Sequence, residues 1–277
     1  MRELHLVAQD LTHYGFDAGE GHDLLDLATA LGRVDGIEWI RLLYAHPAHL
    51  TPRLLEGLFE VPKVVRYLDM PVQHASPRIL QAMRRPYSPD RVRQQLAALR
   101  AKVPGITLRS TVIVGFPGET ERDFDLLCRF VSDVRYERLG TFTYSREPGT
   151  PAADLPGRPR ASTAERRLHV ITELQMEIAA QHAASRVGER LRVLVDGPVS
   201  PEEANETPMA QGAVARARSE AEALDIDGTV YVVADPGTAL PAGAFVEVEI
   251  EAADVFDLRA RVLGRGPAVS LQPSIVT

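Results

Sequence analysis

Apolar positions in the first half of the chain fall into short, β-branched runs separated by stretches of helical spacing. The runs are LHLVA (4–8), WIRLLY (39–44), VVRYLDM (64–70), TLRSTVIV (107–114) and RLGTFTYS (138–145), each of strand length and composition. Between them Leu24, Leu25, Leu27, Ala28 and Leu31, then Val92, Leu96 and Leu99, then Phe124, Leu127, Cys128 and Val131 repeat with the period of a helix face. Thr51-Pro52, Ser76-Pro77 and Ser88-Pro89 each place a hydroxyl at the N-cap and proline in the first turn. Strand and helix alternating in this way predict right-handed crossovers and a parallel sheet. Five strands are too few for an eightfold barrel, so the expected fold is α/β, a partial parallel β/α barrel.

After the Pro/Gly/Arg-rich stretch 149–162 a single helical pattern runs from about Thr163 to Arg186, and the period then changes to two. LRVLVDG (191–197), GAVARARS (212–219), GTVYVVA (228–234), FVEVEIEAA (245–253) and DLRARVLG (257–264) predict a small antiparallel β barrel of OB-like size. The expected domains are 1–160 for the barrel, 161–188 for a linking helix and 189–277 for the β module. A mean of 45% apolar residues suits two buried cores, and no window is apolar for the length of a membrane span. The opening residues have no export signal, so a soluble, cytoplasmic protein is expected. One cysteine, Cys128, excludes an internal disulfide and any site built on several thiolates of this chain.

In a parallel β/α fold ligands sit at the carboxyl ends of the strands. That rule selects Gln9 and Asp10, Tyr44 and His46, Gln73 and His74, Gly115 to Glu119, and Tyr144 and Ser145. Within TVIVGFPGET (111–120) the glycines permit a tight turn and close approach, so its backbone donors are expected to hold an adenine or a carboxylate; a glycine turn needed only for geometry is the alternative. Gln73 and His74 offer an amide and an imidazole to a polar ligand, a core histidine bonded to a carbonyl being the other reading of His74. His46 and His49 have H-x-x-H spacing, but Pro47 interrupts it and no carboxylate stands nearby in sequence, so no metal site is expected. Cys128 lies on an apolar helical stripe and reads as a small buried hydrophobe, whereas Arg84-Arg85 and Arg166-Arg167 read as solvated faces, the first pair able to meet an anion.

Taken in order, LVAQD, WIRLLYAHP, YLDMPVQHAS, LRSTVIVGFPGETE and FTYSREPGTPA resemble the radical S-adenosylmethionine (SAM) methylthiotransferases, and the similarity runs from about residue 3 to the C-terminus. The resemblance implies a six-stranded β/α barrel followed by a TRAM domain, with SAM and two [4Fe–4S] clusters as cofactors and replacement of C–H by C–SCH3 as the reaction. It implies SAM contacts from Gln9, Gln73, Arg109 and the turn Gly115, Phe116, Pro117, Gly118 and Glu119, Arg109 being suited to the SAM carboxylate. No residue of this chain is singled out as catalytic. The family's cluster-binding cysteines and first barrel strand have no counterpart here, so the expected state of the chain alone is an inactive monomer.

The family divides between enzymes that act on a tRNA adenosine and the RimO type, which acts on an aspartate of a small-subunit ribosomal protein. Residues 189–277 hold fifteen acidic residues against seven arginines and no lysine, a net of −8, while the rest of the chain is balanced at 24 basic to 23 acidic. Such a module repels phosphate and attracts a basic protein, and ARARSEAEALDIDGTVYV (215–232) resembles the TRAM sequence of the RimO branch. A ribosomal protein partner is therefore expected, with a tRNA methylthiotransferase or a non-catalytic remnant binding SAM or ribosomal protein as alternatives.

Overall fold

The computed structural model describes residues 1–16, 21–85 and 87–263. It divides into two compact units, Met1–His182 and Ala183–Thr277. The first contains five strands, β1 (Glu3–Val7), β2 (Trp39–Leu43), β3 (Val64–Asp69), β4 (Thr107–Val114) and β5 (Arg138–Thr143), all parallel and in chain order across the sheet. Helices α1 (Leu24–Gly32), α2 (Pro52–Leu58), α3 (Pro77–Ala82), α4 (Pro89–Lys102) and α5 (Glu121–Val134) make the crossovers. The partial parallel barrel expected from the alternating runs is present.

Alternation along the strands separates two faces. Ile40, Leu42, Val64, Leu68, Leu108, Val112 and Val114 join Leu54, Leu58, Leu96, Phe124, Leu127 and Val131 of the helices in one core. The other face is mixed, with Trp39, Leu43, Val65 and Tyr67 buried among charged side chains. On it the Glu3 carboxylate meets Arg41 Nε at 2.9 Å and His5 Nε2 at 3.1 Å, and the Arg41 guanidinium, wholly buried, lies 4.7 Å from the centre of the Tyr67 ring.

The Thr51 and Ser88 hydroxyls cap α2 and α4 by accepting from Leu54 N and Arg91 N. Ser76 occupies the N-cap of α3 without capping it, because its hydroxyl donates instead to Asp123 Oδ1 at 2.6 Å. Thr120 and Asp123 form a reciprocal capping box that starts α5. Helix α6 (Ala161–Ser185) follows, and Arg167, Ile171, Gln175 and Ile178 bury one face of it. Arg167 thus departs from the solvated pair expected from the sequence. It is 3% exposed and pairs with Glu121 at 2.8 Å, whereas neighbouring Arg166 stays at the surface.

The second unit is a closed five-stranded barrel, ordered β10-β8-β7-β6-β9, from β6 (Arg190–Pro198), β7 (Ala215–Arg218), β8 (Val230–Val233), β9 (Phe245–Ala253) and β10 (Leu258–Val262). It is not wholly antiparallel, since β8 and β10 run parallel. A closed ring with an odd number of strands cannot alternate throughout, so one parallel pair is forced. Val193, Val195, Ala217, Val230, Val232, Val248, Ile250, Leu258 and Ala260 fill its interior. Helix α7 (Pro201–Glu206) was not anticipated, although Ser200-Pro201-Glu202-Glu203 carries both a proline at the first position and a capping box. Among the described residues no helix is long and apolar enough to cross a membrane.

Candidate functional site

Left-handed residues stand at the carboxyl ends of three adjacent strands: Tyr44 after β2 (φ 63°), Gln73 after β3 (φ 60°) and Gly115 after β4 (φ 75°). For the first two this conformation costs roughly 1–2 kcal/mol each, and it is tolerated because the surrounding bonds fix it. Tyr44 N donates to Asp69 Oδ2 at 3.1 Å. Gln73 N donates to Thr111 O and Gln73 O accepts from Ile113 N, both at 2.8 Å, so the chain beyond β3 stays fastened to β4. Asp69, buried at the end of β3, also takes Arg109 Nη1 at 2.9 Å. The guanidinium expected to meet a cofactor carboxylate therefore already engages one carboxylate of the protein.

The GFPG turn corrects a second expectation. Gly115 N and Phe116 N both donate to Glu119 Oε2, the latter at 3.0 Å, while Gly118 N donates to Gly157 O and Glu119 N to Phe116 O, each at 2.9 Å. Its amide donors are spent inside the protein, so the turn is left to act through its shape and its carbonyl acceptors. The Glu119 side chain has no exposed surface and Arg167 Nη1 lies 3.5 Å from Oε2. Glu119 stands behind the turn as a positioning residue.

His74 is buried, and its Nδ1 accepts from both Ala75 N and Ser76 N at 2.9 Å. That pattern puts the proton on Nε2, which points to Glu119 Oε1 at 3.7 Å. It is a core histidine, bonded to amides where a carbonyl was the expected partner. Asp123 sits between the turn and α3. Burial alone would disfavour its charge, but hydrogen bonds from Ser76, Thr120 and Arg78 outweigh this and hold its carboxyl well below the usual carboxylate range. Arg78 also donates to Gly118 O at 2.7 Å, tying the turn to α3.

Two buried polar atoms at this mouth, Gln73 Oε1 and the Tyr144 hydroxyl, meet no hydrogen-bond partner among the described residues. Phe116 packs edge-on to Tyr144 with ring centres 5.2 Å apart. An orphaned amide oxygen, an orphaned phenol, an aromatic edge and carbonyl acceptors suit a polar, amine-bearing aromatic ligand such as the adenosyl part of SAM. Gln9 is exposed on the loop after β1, at the opposite edge of the sheet from β5, and is not drawn into this group.

Across the mouth, Asp10 Oδ2 lies 2.5 Å from His49 Nδ1. Burial opposes ionisation of Asp10, but its bonds with Thr12 and His49 prevail and lower its pKa. Burial and the nearby Arg85 lower the pKa of His46. The carboxylate missing from the H-x-x-H stretch thus comes from 39 residues upstream, and adjacency of β1 and β2 is the signal that could have found it.

The sequence pattern of the Radical SAM superfamily matches residues 7–131, and that of the TRAM domain matches 187–263. Ribosomal protein uS12 methylthiotransferase RimO of Anaeromyxobacter sp. (strain Fw109-5) is 45% identical over 98% of this chain and 55% of that protein. The corresponding protein of Opitutus terrae is 41% identical over 97% of the chain and 55% of that protein, and that of Myxococcus xanthus is 44% identical over 96% and 53%. Over nearly its whole length the chain is similar to radical SAM methylthiotransferases of the RimO type.

It spans about half the length of these curated relatives. A solved radical SAM enzyme, coproporphyrinogen III oxidase (HemN) from Escherichia coli, shares the fold with a TM-score of 0.55 at 16% identity, over 66% of this chain and 42% of that one. For this family the iron–sulfur half of the chemistry finds no fit in the residues of this chain. Its single cysteine, Cys128, is half-buried on α5, and burial pushes its thiol up to about 11. One protonated thiol cannot replace three cluster thiolates.

Proposed function

We propose that this chain is the SAM-binding barrel and TRAM module of a methylthiotransferase that modifies an aspartate side chain of the basic ribosomal protein uS12. The 41–45% identity to uS12 methylthiotransferases across both units carries the reading. In it, Gln73 and the Gly115–Glu119 turn cradle SAM, with Arg109 completing the contacts at the mouth. In the full-length family, SAM reduced by a cluster would supply the radical and another SAM molecule the methyl group; the barrel's part would be to orient SAM and keep water away. The chain alone, as a cytoplasmic monomer without cluster ligands, binds SAM but does not turn over.

The charge of the TRAM module supports a protein substrate over tRNA. Its described arginines are taken up internally: Arg190 by Glu249, Arg216 by Glu203, Arg218 by Asp196, Arg261 by Glu251, Arg259 by the Met209 and Gln211 carbonyls, and Arg192 over the Phe245 ring. Glu202, Glu206, Asp225, Asp235, Glu247 and Asp254 remain exposed. A surface of this kind gains nothing from counterion release on a nucleic acid and steers a cationic protein.

Fluorescence anisotropy with labelled uS12 and labelled tRNA, over a salt series, tests the reading. Saturable uS12 binding that weakens with salt is expected, and tighter binding of tRNA would overturn it. SAM binding is expected in the same chain, weakened about tenfold or more by Gln73→Ala. Iron and sulfide in cluster stoichiometry after anaerobic reconstitution would refute the inference that this chain is inert by itself.

A further inference from the structure

The loops after β1 and β2 assemble a donor set that the proposed function does not use. Leu11 N donates to Tyr44 O at 3.0 Å and His46 N to Thr12 Oγ1 at 3.1 Å, so the two loops are pinned side by side. Thr12 Oγ1 in turn donates to Asp10 Oδ1 at 2.5 Å, which fixes the carboxylate with Oδ2 turned to His49. His13 ends the 3-10 helix Leu11–His13, and its ring centre lies 5.2 Å from that of His49. One ligand atom from each of Asp10, His13 and His49 falls within 4.8 Å of the others.

We propose that Asp10, His13 and His49 bind a divalent first-row transition-metal ion of the zinc type. Two imidazoles and one carboxylate suit such an ion and leave a position for water, whereas magnesium and calcium require a shell of oxygens. Bonds of 2.0–2.1 Å in a tetrahedral site place neighbouring ligand atoms about 3.3 Å apart. Asp10 and His49 already lie inside that separation, and the exposed His13 ring can turn to close the rest without moving the strands. The ion would take the place of the proton shared between Asp10 and His49.

His46 forms a wall of the site and not a ligand. Its Nδ1 accepts from Ala48 N at 3.2 Å, and its ring stacks on His49 with centres 4.9 Å apart. Thr12 is a positioning residue, acting through Asp10. Both imidazole ligands are solvent-accessible, so a hydrated ion has a direct approach. The site requires neither SAM nor a cluster, so it stands or falls apart from the proposed activity.

Isothermal titration of the full chain with zinc chloride, repeated with cobalt(II) to read the visible d–d bands, tests the assignment. One saturable site per chain is expected. His13→Ala and His49→Ala should each weaken it by about 100-fold, and Thr12→Ala by about tenfold. His169→Ala, which alters an exposed histidine paired with Glu173 on α6, should leave it unchanged. Circular dichroism of each variant separates ligand loss from misfolding. Absence of saturable binding below about 100 μM zinc, or binding that survives both His13→Ala and His49→Ala in folded protein, would overturn the proposal.

Discussion

Replacing Glu119 by alanine should unsettle the barrel far more than its place in a loop suggests. The carboxylate accepts from Gly115 N and Phe116 N and faces the buried guanidinium of Arg167 at 3.5 Å. A hydrogen bond to a charged acceptor contributes about 1.5–3 kcal/mol, and an amide left dry costs a similar amount. Removing one partner of a buried ion pair costs about 3–5 kcal/mol, and because these effects share atoms they do not add. Arg167 keeps Glu121, which limits its loss. The expected destabilisation is therefore about 3–5 kcal/mol, or a fall of roughly 10 °C in the midpoint for a unit of this size. Trp39 is the only tryptophan of the chain and is buried in β2, so its fluorescence in a urea titration follows the first unit. Glu119→Gln retains one acceptor oxygen but turns an amine toward donors, and should fall between wild type and alanine. A Glu119→Ala midpoint equivalent to a loss below about 1 kcal/mol would refute the account of the turn as braced from within.

Other positions give independent checks. The Asp123 carboxyl titrates well below its unfolded value of about 3.9, so its stabilisation is complete above that pH and is lost as pH falls further; Asp123→Asn should lower stability at pH 7 and flatten the acid side of the Trp39 profile, and an unchanged acid limb would contradict this. With the Cys128 thiol near 11, roughly one molecule in a thousand is thiolate at pH 8, so iodoacetamide labelling should be slow in native protein and rapid in urea. Gly115→Ala forces a side chain into a left-handed position where its Cβ would meet Ala164 Cβ at 2.7 Å, and should cost about 2–3 kcal/mol by the same fluorescence titration.

How far a sequence can be read here depends on the distance over which each residue acts. Strands 107–114 and 245–253 are legible because period-two burial is written in neighbouring residues, and both appear with the expected bounds. The turn at Gly115 is legible for the same local reason, since only glycine enters it cheaply. Who receives its amides is not legible, because TVIVGFPGET looks the same whether Glu119 faces a ligand or folds back under the turn; a side-chain rotamer decides, and packing from Arg167 on α6 sets that rotamer. Arg167 itself reads as half of a solvated pair until the helix face through Ile171, Gln175 and Ile178 is known to be covered. Parallel topology supplies the missing range. Once β1 and β2 are neighbours, their carboxyl-end loops must lie together, and Asp10 becomes the natural partner of His49 despite 39 intervening residues. In this fold, then, the strand order is what converts isolated polar residues into sites. Contacts at the mouth follow from it, whereas the buried carboxylates behind the mouth, Glu119 and Asp123, decide what those contacts can offer a ligand.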